Sequence, residues 1–309
     1  MSRQLRRMPG PDTGLTARMF IVMFLLFVVY SAFALLLFDL TRSFLLMGIV
    51  IGACALTQYF FSDKLALMSM GAKEVTPDQA PELHAIVERL AQQMDLPKPK
   101  VAIAQTDIPN AFATGRNPSH AVVCATTGIM RRLSTEEMEA VIGHELTHVK
   151  NRDVMVITLA SFFATVASFI MQWGFWLGMG MGGGRRGGRD RDNSAAVFML
   201  VYLASIVVWV ISFFLIRALS RYRELAADRG SAIITGAPQN LMSALMKISQ
   251  GMARIPDTDL RAKQSLNAFF IVPAIAGGAS LGELFSTHPS LERRIAQLEK
   301  IQAQMFGVR

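Results

Sequence analysis

Four long apolar runs constrain the fold of this chain more than any other feature of its sequence. In chain order they are Met19 to Phe38, Phe44 to Phe61, Val154 to Trp176 and Ala195 to Ile216. None contains a charged residue, and a run of about 20 apolar residues is long enough to cross the roughly 30 Å hydrocarbon core of a bilayer. The sequence therefore predicts four membrane helices arranged as two hairpins. Gly178 to Asn193, rich in Gly and Arg, is expected to be a flexible loop inside the second hairpin.

Composition supports a membrane protein and argues against a nucleic-acid binder. Hydrophobic residues make up 52% of the chain and charged residues 17%, with a mean hydropathy of +0.36, which is too apolar for an ordinary soluble globule. The 31 Lys and Arg outnumber the 23 Asp and Glu, but the arginines flank the apolar runs as orientation signals do. The two cysteines, Cys54 and Cys124, are expected to be buried hydrophobic residues.

The distribution of basic residues predicts which side of the membrane each segment occupies. One side collects Arg3, Arg6, Arg7, Arg18, Lys64, Lys73, Lys150, Arg152, Arg217, Arg221, Arg223 and Arg229, and the other collects Arg42, Arg185, Arg186, Arg189 and Arg191. Because the larger set marks the cytoplasm, both termini and the segment between the hairpins are expected there, although the arginines of the Gly-rich loop argue against this. A second hairpin that is buried without crossing would leave the same ends on the same side.

The predicted organisation is a cytoplasmic domain interrupted by a hairpin. It consists of a cytoplasmic tail at 1–18, a first transmembrane hairpin at 19–61, one part of the domain at 62–153, a transmembrane or re-entrant hairpin at 154–216 and the second part of the domain at 217–309. The apolar run after the tail is too long for a signal-peptide core and is interpreted as a retained anchor.

The soluble segments predict mixed α and β structure. Thr76 to Asp95 has a Thr cap, a Pro at the next position and helical apolar spacing, which together predict a helix. Lys100 to Gln105 and Ala121 to Thr126 are short β-branched runs that predict strands, with Asn110 to Ala113 a third strand or an edge between them. A capping box at Ser134 opens a second helix, which is expected to end near Arg152.

That second helix contains the sequence His144-Glu145-Leu146-Thr147-His148. Residues four apart lie on the same helical face with Cβ atoms about 5–6 Å apart, so both imidazoles can face one ion. Histidine nitrogens suit zinc, and a catalytic zinc site keeps a position open for water. Glu145 is turned away from direct ligation but can reach that water. The alternative is that both are ordinary histidines without a ligand. His84 and His120 have no partner at ligand spacing and are expected to be exposed.

A third ligand must come from elsewhere in the chain, and Glu224, on the next predicted helix, is the candidate. It follows the fourth apolar run, and either topology of the second hairpin brings it to the side where the histidines lie. Asp228, one turn later, is placed to accept the outer N–H of a ligating histidine. The alternative is that Glu224 and Asp228 pair with Arg221, Arg223 and Arg229 at the membrane surface.

Together these patterns resemble a known family. His144-Glu145-x-x-His148, Glu224-x-x-Ala227-Asp228, the Asn110 to Ala113 run and Phe285 to Ser290 look like the HtpX-type membrane zinc metalloproteases, relatives of the CAAX prenyl endopeptidases and the mitochondrial Oma peptidase. The resemblance covers nearly the whole chain. It implies a zincin-like site of the gluzincin type with one Zn²⁺ per chain, a role in membrane-protein quality control under stress, and a place in the bacterial inner membrane.

The expected activity is hydrolysis of peptide bonds in misfolded or unassembled membrane proteins, with Glu145 as the general base. His288 is the first candidate for the donor that stabilises the oxyanion, followed by Arg221 and Tyr222. The alternative is that His288 caps the helix after Pro289. Nothing in the sequence specifies an oligomeric state.

By the same resemblance, Asn110, Ala111, Phe112 and Ala113 form an edge strand to which an extended peptide adds, which would give broad specificity. The apolar segment Ala268 to Leu281 is too short to span a membrane, and is expected to be a flap or membrane-dipping loop near the cleft, or core.

Two other functions compete with this one. A transporter would place ionisable residues inside its spans, and these four runs contain none. A catalytically inactive zinc-binding scaffold or regulatory protein would bind the metal without turnover. Zinc over manganese or cobalt is a preference of the ligand set.

Overall fold

The computed structural model describes residues 12–41, 67–68, 70–157, 160–161, 164–168, 171, 190–255, 271 and 286–307. Phe44 to Phe61, most of the Gly-rich loop, Phe285 and all but Ile271 of Ala268 to Leu281 lie outside these residues. The chain divides into two compact units. One contains residues 1–16, 61–156 and 220–309, and the other contains residues 17–60 and 157–219.

The first unit contains a four-stranded sheet with helices. Its strands are β1 (Ala72–Glu74), β2 (Lys100–Ala104), β3 (Ala111–Thr114) and β4 (Val122–Thr126), in the spatial order β1-β2-β4-β3. β2 and β4 are parallel, whereas β1 and β3 are antiparallel to their neighbours. All five residues of β4 are buried, as its central position and its apolar run require. β3 forms one edge of the sheet. The sequence allowed a third strand or an edge at Asn110 to Ala113, and β3 begins at Ala111, one residue later than predicted.

Two features of this sheet region differ from the expectation. β1 was missed, because three residues with two charges carry no apolar alternation. The first helix of the domain, α2, covers Pro81–Gln93 and begins five residues after the predicted cap, Thr76. Thr76 instead closes a turn in which its N–H donates to the Gln79 side chain and its carbonyl accepts from Gln79 N–H. The proline that begins the helix is therefore Pro81.

A short helix, α3 (Thr127–Met130), leads from β4 to α4 (Thr135–Lys150). α4 begins with the predicted capping box. The Ser134 side chain accepts from Glu137 N–H at 3.3 Å, and the Glu137 carboxylate accepts from Ser134 N–H at 2.8 Å. α4 ends two residues before the predicted Arg152, which has a φ of 54°, a left-handed conformation that stops the helix.

Glu137 also joins α4 to α6 (Pro238–Met252). Its carboxylate lies 2.6 Å from Ser243 Oγ and 2.7 Å from Lys247 Nζ. Burial alone would raise the pKa of Glu137, but the hydrogen bonds from Lys247, Ser243 and Ser134 outweigh burial and lower it.

Replacing Glu137 by alanine is expected to cost about 1–3 kcal/mol of unfolding free energy, because several donors lose their acceptor. Since the folded-state pKa of Glu137 is lowered, its contribution is present above the unfolded-state pKa and is lost as pH falls through the folded-state value. Thermal unfolding of parent and variant at neutral and acid pH measures this difference, which should shrink in acid. Glu299→Ala, at an exposed position of the helix Leu291–Phe306, is the control and should stay within about 0.5 kcal/mol. Equal losses from both variants would contradict the assignment.

The helix that carries Glu224 is continuous with the fourth apolar run. A single helix, α5, covers Asp190–Thr235, where the sequence suggested a loop to Asn193, a span to Ile216 and a separate helix afterwards. Residues 217–223, RALSRYR, contain no glycine or proline that would end a helix. The helix stops instead at Gly236, which has a φ of 61°.

Two helices in the described part of the chain are long and apolar enough to cross a membrane. They are the stretch Thr13–Leu36 of α1 (Thr13–Thr41) and the stretch Met199–Thr235 of α5. Only 22% and 17% of their most apolar windows are buried, whereas the core helix of a soluble protein is mostly buried. Residues 153–157, 160–161 and 164–168, within or next to the third run, are also helical.

Candidate metal centre

The two histidines of α4 face the same point. Their Nε2 atoms lie 3.1 Å apart, and their rings are nearly perpendicular, with centroids 4.7 Å apart. This follows from their spacing of four residues, which places both side chains on one helical face. His144 is fully buried and His148 is partly buried, so the site opens on the His148 side.

α5 packs closely against α4 and brings Glu224 to the histidines. Ser231 Oγ donates to the carbonyl of Ala140 at 2.6 Å. A Cβ on Gly230 would lie 2.4 Å from Thr147 Cγ2, so only glycine permits this approach. The Glu224 carboxylate then lies 3.4 Å from His148 Nε2 and 3.5 Å from His144 Nε2.

These distances fit one zinc ion. A tetrahedral centre with bonds of about 2.0–2.1 Å has ligand-to-ligand edges of about 3.3 Å. The two Nε2 atoms lie 3.1 Å apart, His148 Nε2 lies 3.4 Å from Glu224 Oε1, and His144 Nε2 lies 3.5 Å from Glu224 Oε2, so each contact is close to such an edge. The ligand atoms of His144, His148 and Glu224 all lie within 4.8 Å of one another. Glu224 Oε2 is buried and accepts no hydrogen bond, although His288 Nδ1 and Arg294 Nη1 lie 3.3 and 3.8 Å away. A cation bound between Glu224 and the histidines would offset the cost of burying this oxygen without a hydrogen-bond donor. The donor set therefore fits a metal ion.

A carboxylate holds the outer nitrogen of each histidine. Asp228 Oδ1 lies 2.9 Å from His144 Nδ1, and Asp153 Oδ2 lies 2.5 Å from His148 Nδ1. Arg223 Nε lies 3.0 Å from the other oxygen of Asp153. A carboxylate against Nδ1 favours one ring orientation and leaves the Nε2 lone pair for a metal.

Sequence reasoning considered Asp228 but missed Asp153 and this role of Arg223. Asp153 reaches His148 because the chain reverses at Arg152, whose positive φ is not encoded by a glycine. The one available signal was an acidic residue immediately after the predicted end of the helix.

Burial and neighbouring charges shift the pKa values of Glu224 and His148. Burial alone would raise the pKa of Glu224, but the imidazoles of His288, His144 and His148 hold it well below its usual range. Burial would lower the pKa of His148, whereas Asp153 and Glu224 raise it to about 10. Both shifts have the same cause, which is the attraction between a protonated imidazole and an ionised carboxylate at a buried site.

Glu145 lies on the same helix but does not join this group of ligand atoms. It is buried, and its Oε2 accepts a hydrogen bond from the backbone N–H of Ala113 in β3 at 2.9 Å. Burial raises the pKa of Glu145, as suits a group that takes up a proton near neutral pH.

The three candidates for the oxyanion donor lie at different positions around the site. His288 is buried and its Nδ1 lies 3.3 Å from Glu224 Oε2. It does not cap the C-terminal helix α7 (Leu291–Phe306), because the cap is Ser290, which accepts from Arg293 N–H. Arg221 Nη1 donates to the carbonyl of Ser286 at 2.9 Å, in the loop that leads to His288. Tyr222 is partly buried.

Asn110 precedes the edge strand, and its side chain faces away from solvent. It is fully buried, its N–H donates to Thr126 Oγ1 at 3.0 Å, and its Oδ1 accepts from Ile271 N–H at 3.0 Å. Ala111 and Phe112 are also buried, and Ala113 is partly buried. His84 was wrongly expected to be exposed: it is buried, with its Nε2 3.0 Å from the Val75 carbonyl. His120 is exposed as expected.

A cleft lies beside His148 at the end of the edge strand. Its lining combines the strand end and the following turn with the end of α4, and includes Ala113, Gly115, Arg116, Val149 and Arg152. Most of its exposed lining is apolar, and it opens next to the histidine that is not fully buried.

The stretch covering residues 77–302 matches the model of peptidase family M48. The chain belongs to this family. A protein described as "Protease HtpX homolog" from Moorella thermoacetica is 61% identical over 301 residues, covering 97% of this chain and 99% of its own length. "Protease HtpX homolog 2" from Methanosarcina mazei is 53% identical over 294 residues, covering 95% of this chain and 97% of its own.

One solved structure has a similar fold. The crystal structure of S. mikatae Ste24p superposes with a TM-score of 0.52 at 17% identity. The match covers 90% of this chain and 62% of that one, so this M48 protein spans less than two thirds of its structural neighbour. The family and the two apolar helices make the chain a membrane-anchored metallopeptidase, as the sequence predicted.

Proposed function

We propose that the chain is a zinc-dependent endopeptidase of the membrane, with its catalytic centre at His144, His148 and Glu224. The observation that carries this proposal is the convergence of the two Nε2 atoms, 3.1 Å apart, on the Glu224 carboxylate, whose two oxygens lie 3.4 Å from His148 and 3.5 Å from His144. Two histidines without a metal would not explain why the Glu224 carboxylate is buried beside them with one oxygen that accepts no hydrogen bond.

The three ligands would hold one Zn²⁺ per chain. A zinc ion in such a site lowers the pKa of water toward about 7 and polarises the scissile carbonyl. The chain contributes the geometry: Asp228 and Asp153 hold the histidine rings so that both Nε2 atoms point inward.

Glu145 is the proposed general base. The Ala113 N–H holds Oε2 of this carboxylate, and the other oxygen takes the proton of the attacking water. Glu145 then passes that proton to the leaving amine. Because burial raises the pKa of Glu145, the carboxylate holds a proton more readily than an exposed glutamate does.

His288 is the proposed donor to the oxyanion that develops on the substrate carbonyl. Its ring lies against Glu224, on an element far from the histidine helix in sequence. Arg221 and Tyr222 are the alternatives, and the hydrogen bond of Arg221 to Ser286 favours a supporting role for Arg221 in positioning the loop that carries His288.

The proposed substrate is an extended segment of a misfolded or unassembled membrane protein, bound along β3. β3 is the edge of the sheet, and Ala113 on it contacts Glu145, so a peptide added there would pass the base. Main-chain pairing reads little side-chain sequence, and the cleft beside His148 would accept one apolar side chain. Asn110 precedes this strand and would support it from within the core.

The proposed topology has four membrane helices, in hairpins at 19–61 and 154–216. The domain formed by 62–153 and 217–309 faces the cytoplasm, by the distribution of basic residues. The helical residues at 153–157, 160–161 and 164–168 support a third helix. The names of the relatives support a protease. The proposal extends to a role in protein quality control under stress, with the inner membrane of a bacterium as the location.

Metal analysis combined with proteolysis tests the proposal. The full chain, purified in detergent, is expected to contain about one zinc ion and to cleave an unfolded membrane protein. Chelation should remove both the metal and the activity, and added Zn²⁺ should restore the activity. A protein that binds zinc but cleaves nothing would point to the scaffold or regulatory alternative, and a protein without metal would contradict the site itself.

A further inference from the structure

Arg294, in the first turn of α7, is a charged side chain that is almost completely buried, with 2% of its surface exposed. No step of the proposed reaction uses it. Arginine is rarely buried to this extent unless every donor has a specific acceptor. Its acceptors therefore indicate why the charge is there.

We propose that Arg294 is a positioning residue for the metal centre, which fixes Asp228 against His144 and ties the backbone at Ile271 to the same carboxylate. This inference rests on the proposed function, because it assigns Arg294 a part in the metal affinity of that site.

The first contact is a two-pronged pair with Asp228. Nε donates to Oδ2 at 2.8 Å and Nη2 donates to Oδ1 at 2.6 Å. Asp228 Oδ1 also lies 2.9 Å from Nδ1 of His144. The planar guanidinium fixes both the position and the plane of the carboxylate, and the carboxylate in turn fixes the ring of His144.

The remaining contact of Arg294 reaches a different part of the chain. Nη1 donates to the carbonyl of Ile271 at 2.5 Å and lies 3.8 Å from Glu224 Oε2. The N–H of Ile271 donates to Asn110 Oδ1 at 3.0 Å, and Asn110 immediately precedes the edge strand. One guanidinium thus connects Glu224 and Asp228 to the backbone that supports β3.

Lysine cannot reproduce this arrangement. An ammonium group has the same charge, but it cannot make two parallel hydrogen bonds to Asp228 and reach Ile271 in one plane. Arg294→Lys therefore keeps the buried charge paired while it removes the geometric constraint, which makes it more informative than a neutral substitution.

The experiment measures the zinc affinity of the full chain in detergent after chelation, by competition with a chromophoric chelator. We expect Arg294→Lys and Asp228→Asn each to weaken zinc binding by about 10–100-fold. The double variant should lose little more than either single variant, because both changes act through the His144 ring. The absorption spectrum of the cobalt-loaded protein should change in Arg294→Lys. Arg293→Lys, at the exposed neighbouring position, should leave both readouts unchanged.

A purely structural role would give a different result. Arg294→Lys would then lower the thermal stability of the metal-free protein, while the zinc affinity and cobalt spectrum stayed as in the parent, and that outcome overturns the proposal. If Arg294→Lys does not fold, Arg294→Gln combined with Asp228→Asn provides an uncharged hydrogen-bonded pair. Zinc binding by this double variant as tight as in the parent also overturns the proposal. Failure of the proposed function would be visible in the parent chain, as a lack of zinc or of cleavage.

Discussion

Glu145→Gln is expected to lower kcat for peptide hydrolysis by about 10²–10⁴-fold, the usual contribution of a general base. Glutamine has the same shape, and its side-chain oxygen can still accept the N–H of Ala113, which now holds Glu145 at 2.9 Å. The ligands His144, His148 and Glu224 are unchanged. The variant loses only the ability to take up a proton, so its zinc content should match that of the parent.

The measurement compares initial rates of cleavage of an unfolded membrane protein in detergent, with zinc content determined on the same samples. Glu139→Gln is the matched control, because Glu139 lies on the same helix and pairs with Arg89 at 2.9 Å, away from the metal centre. The control should cleave at the parental rate. Equal rates for the parent and Glu145→Gln would sink the enzymatic mechanism, whereas loss of zinc in the variant would show that Glu145 has a structural role.

Glu224→Gln is expected to abolish both tight zinc binding and detectable cleavage. A buried carboxylate is the only anionic member of the proposed ligand set, and an uncharged amide is a much weaker ligand for a divalent cation. The change also removes the negative charge that lies 3.3 Å from His288 Nδ1. This variant should therefore lose metal and activity together, unlike Glu145→Gln.

Zinc affinity by chelator competition, followed by cleavage assays at saturating zinc, tests this second prediction. Glu292→Gln, at an exposed position in the first turn of α7, is the control and should behave as the parent does. Zinc affinity within a few-fold of the parent in Glu224→Gln would mean that another residue supplies the third ligand.

Features that depend on nearby residues could be predicted from the sequence. The positions of His144, Glu145 and His148 on one helix follow from their spacing, and the start of that helix follows from the capping box at Ser134. Two of the strands also follow from their composition, and their ends shift by only one residue. The placement of Glu224 needed one additional argument, which was the topology of the hairpin between it and the histidines.

Contacts between distant parts of the chain could not be predicted in this way. Local reasoning offered Arg221, Arg223 and Arg229 as partners for Glu224 and Asp228. Asp228 pairs instead with Arg294, 66 residues later, and Arg223 pairs with Asp153. These pairings depend on how helices pack, which sequence periodicity does not specify.

The start of α2 and the continuity of α5 were missed for a different reason. Thr76 and Pro77 match the pattern of a helix start, and Pro81 also matches its proline position. In the structure Thr76 is held in a turn by Gln79, and the helix begins at Pro81. In α5, the predicted boundary after Ile216 rested on a change from apolar to polar residues. Such a change marks where the surroundings of a helix change, and the backbone continues unless a residue interrupts it.

The unbroken course of α5 has a consequence for how this chain can vary. Each residue of an α-helix turns the following side chain by about 100° and advances it by 1.5 Å. Loss or gain of a single amino acid between Ile216 and Glu224 would therefore change which residues of this helix share a face with the third ligand.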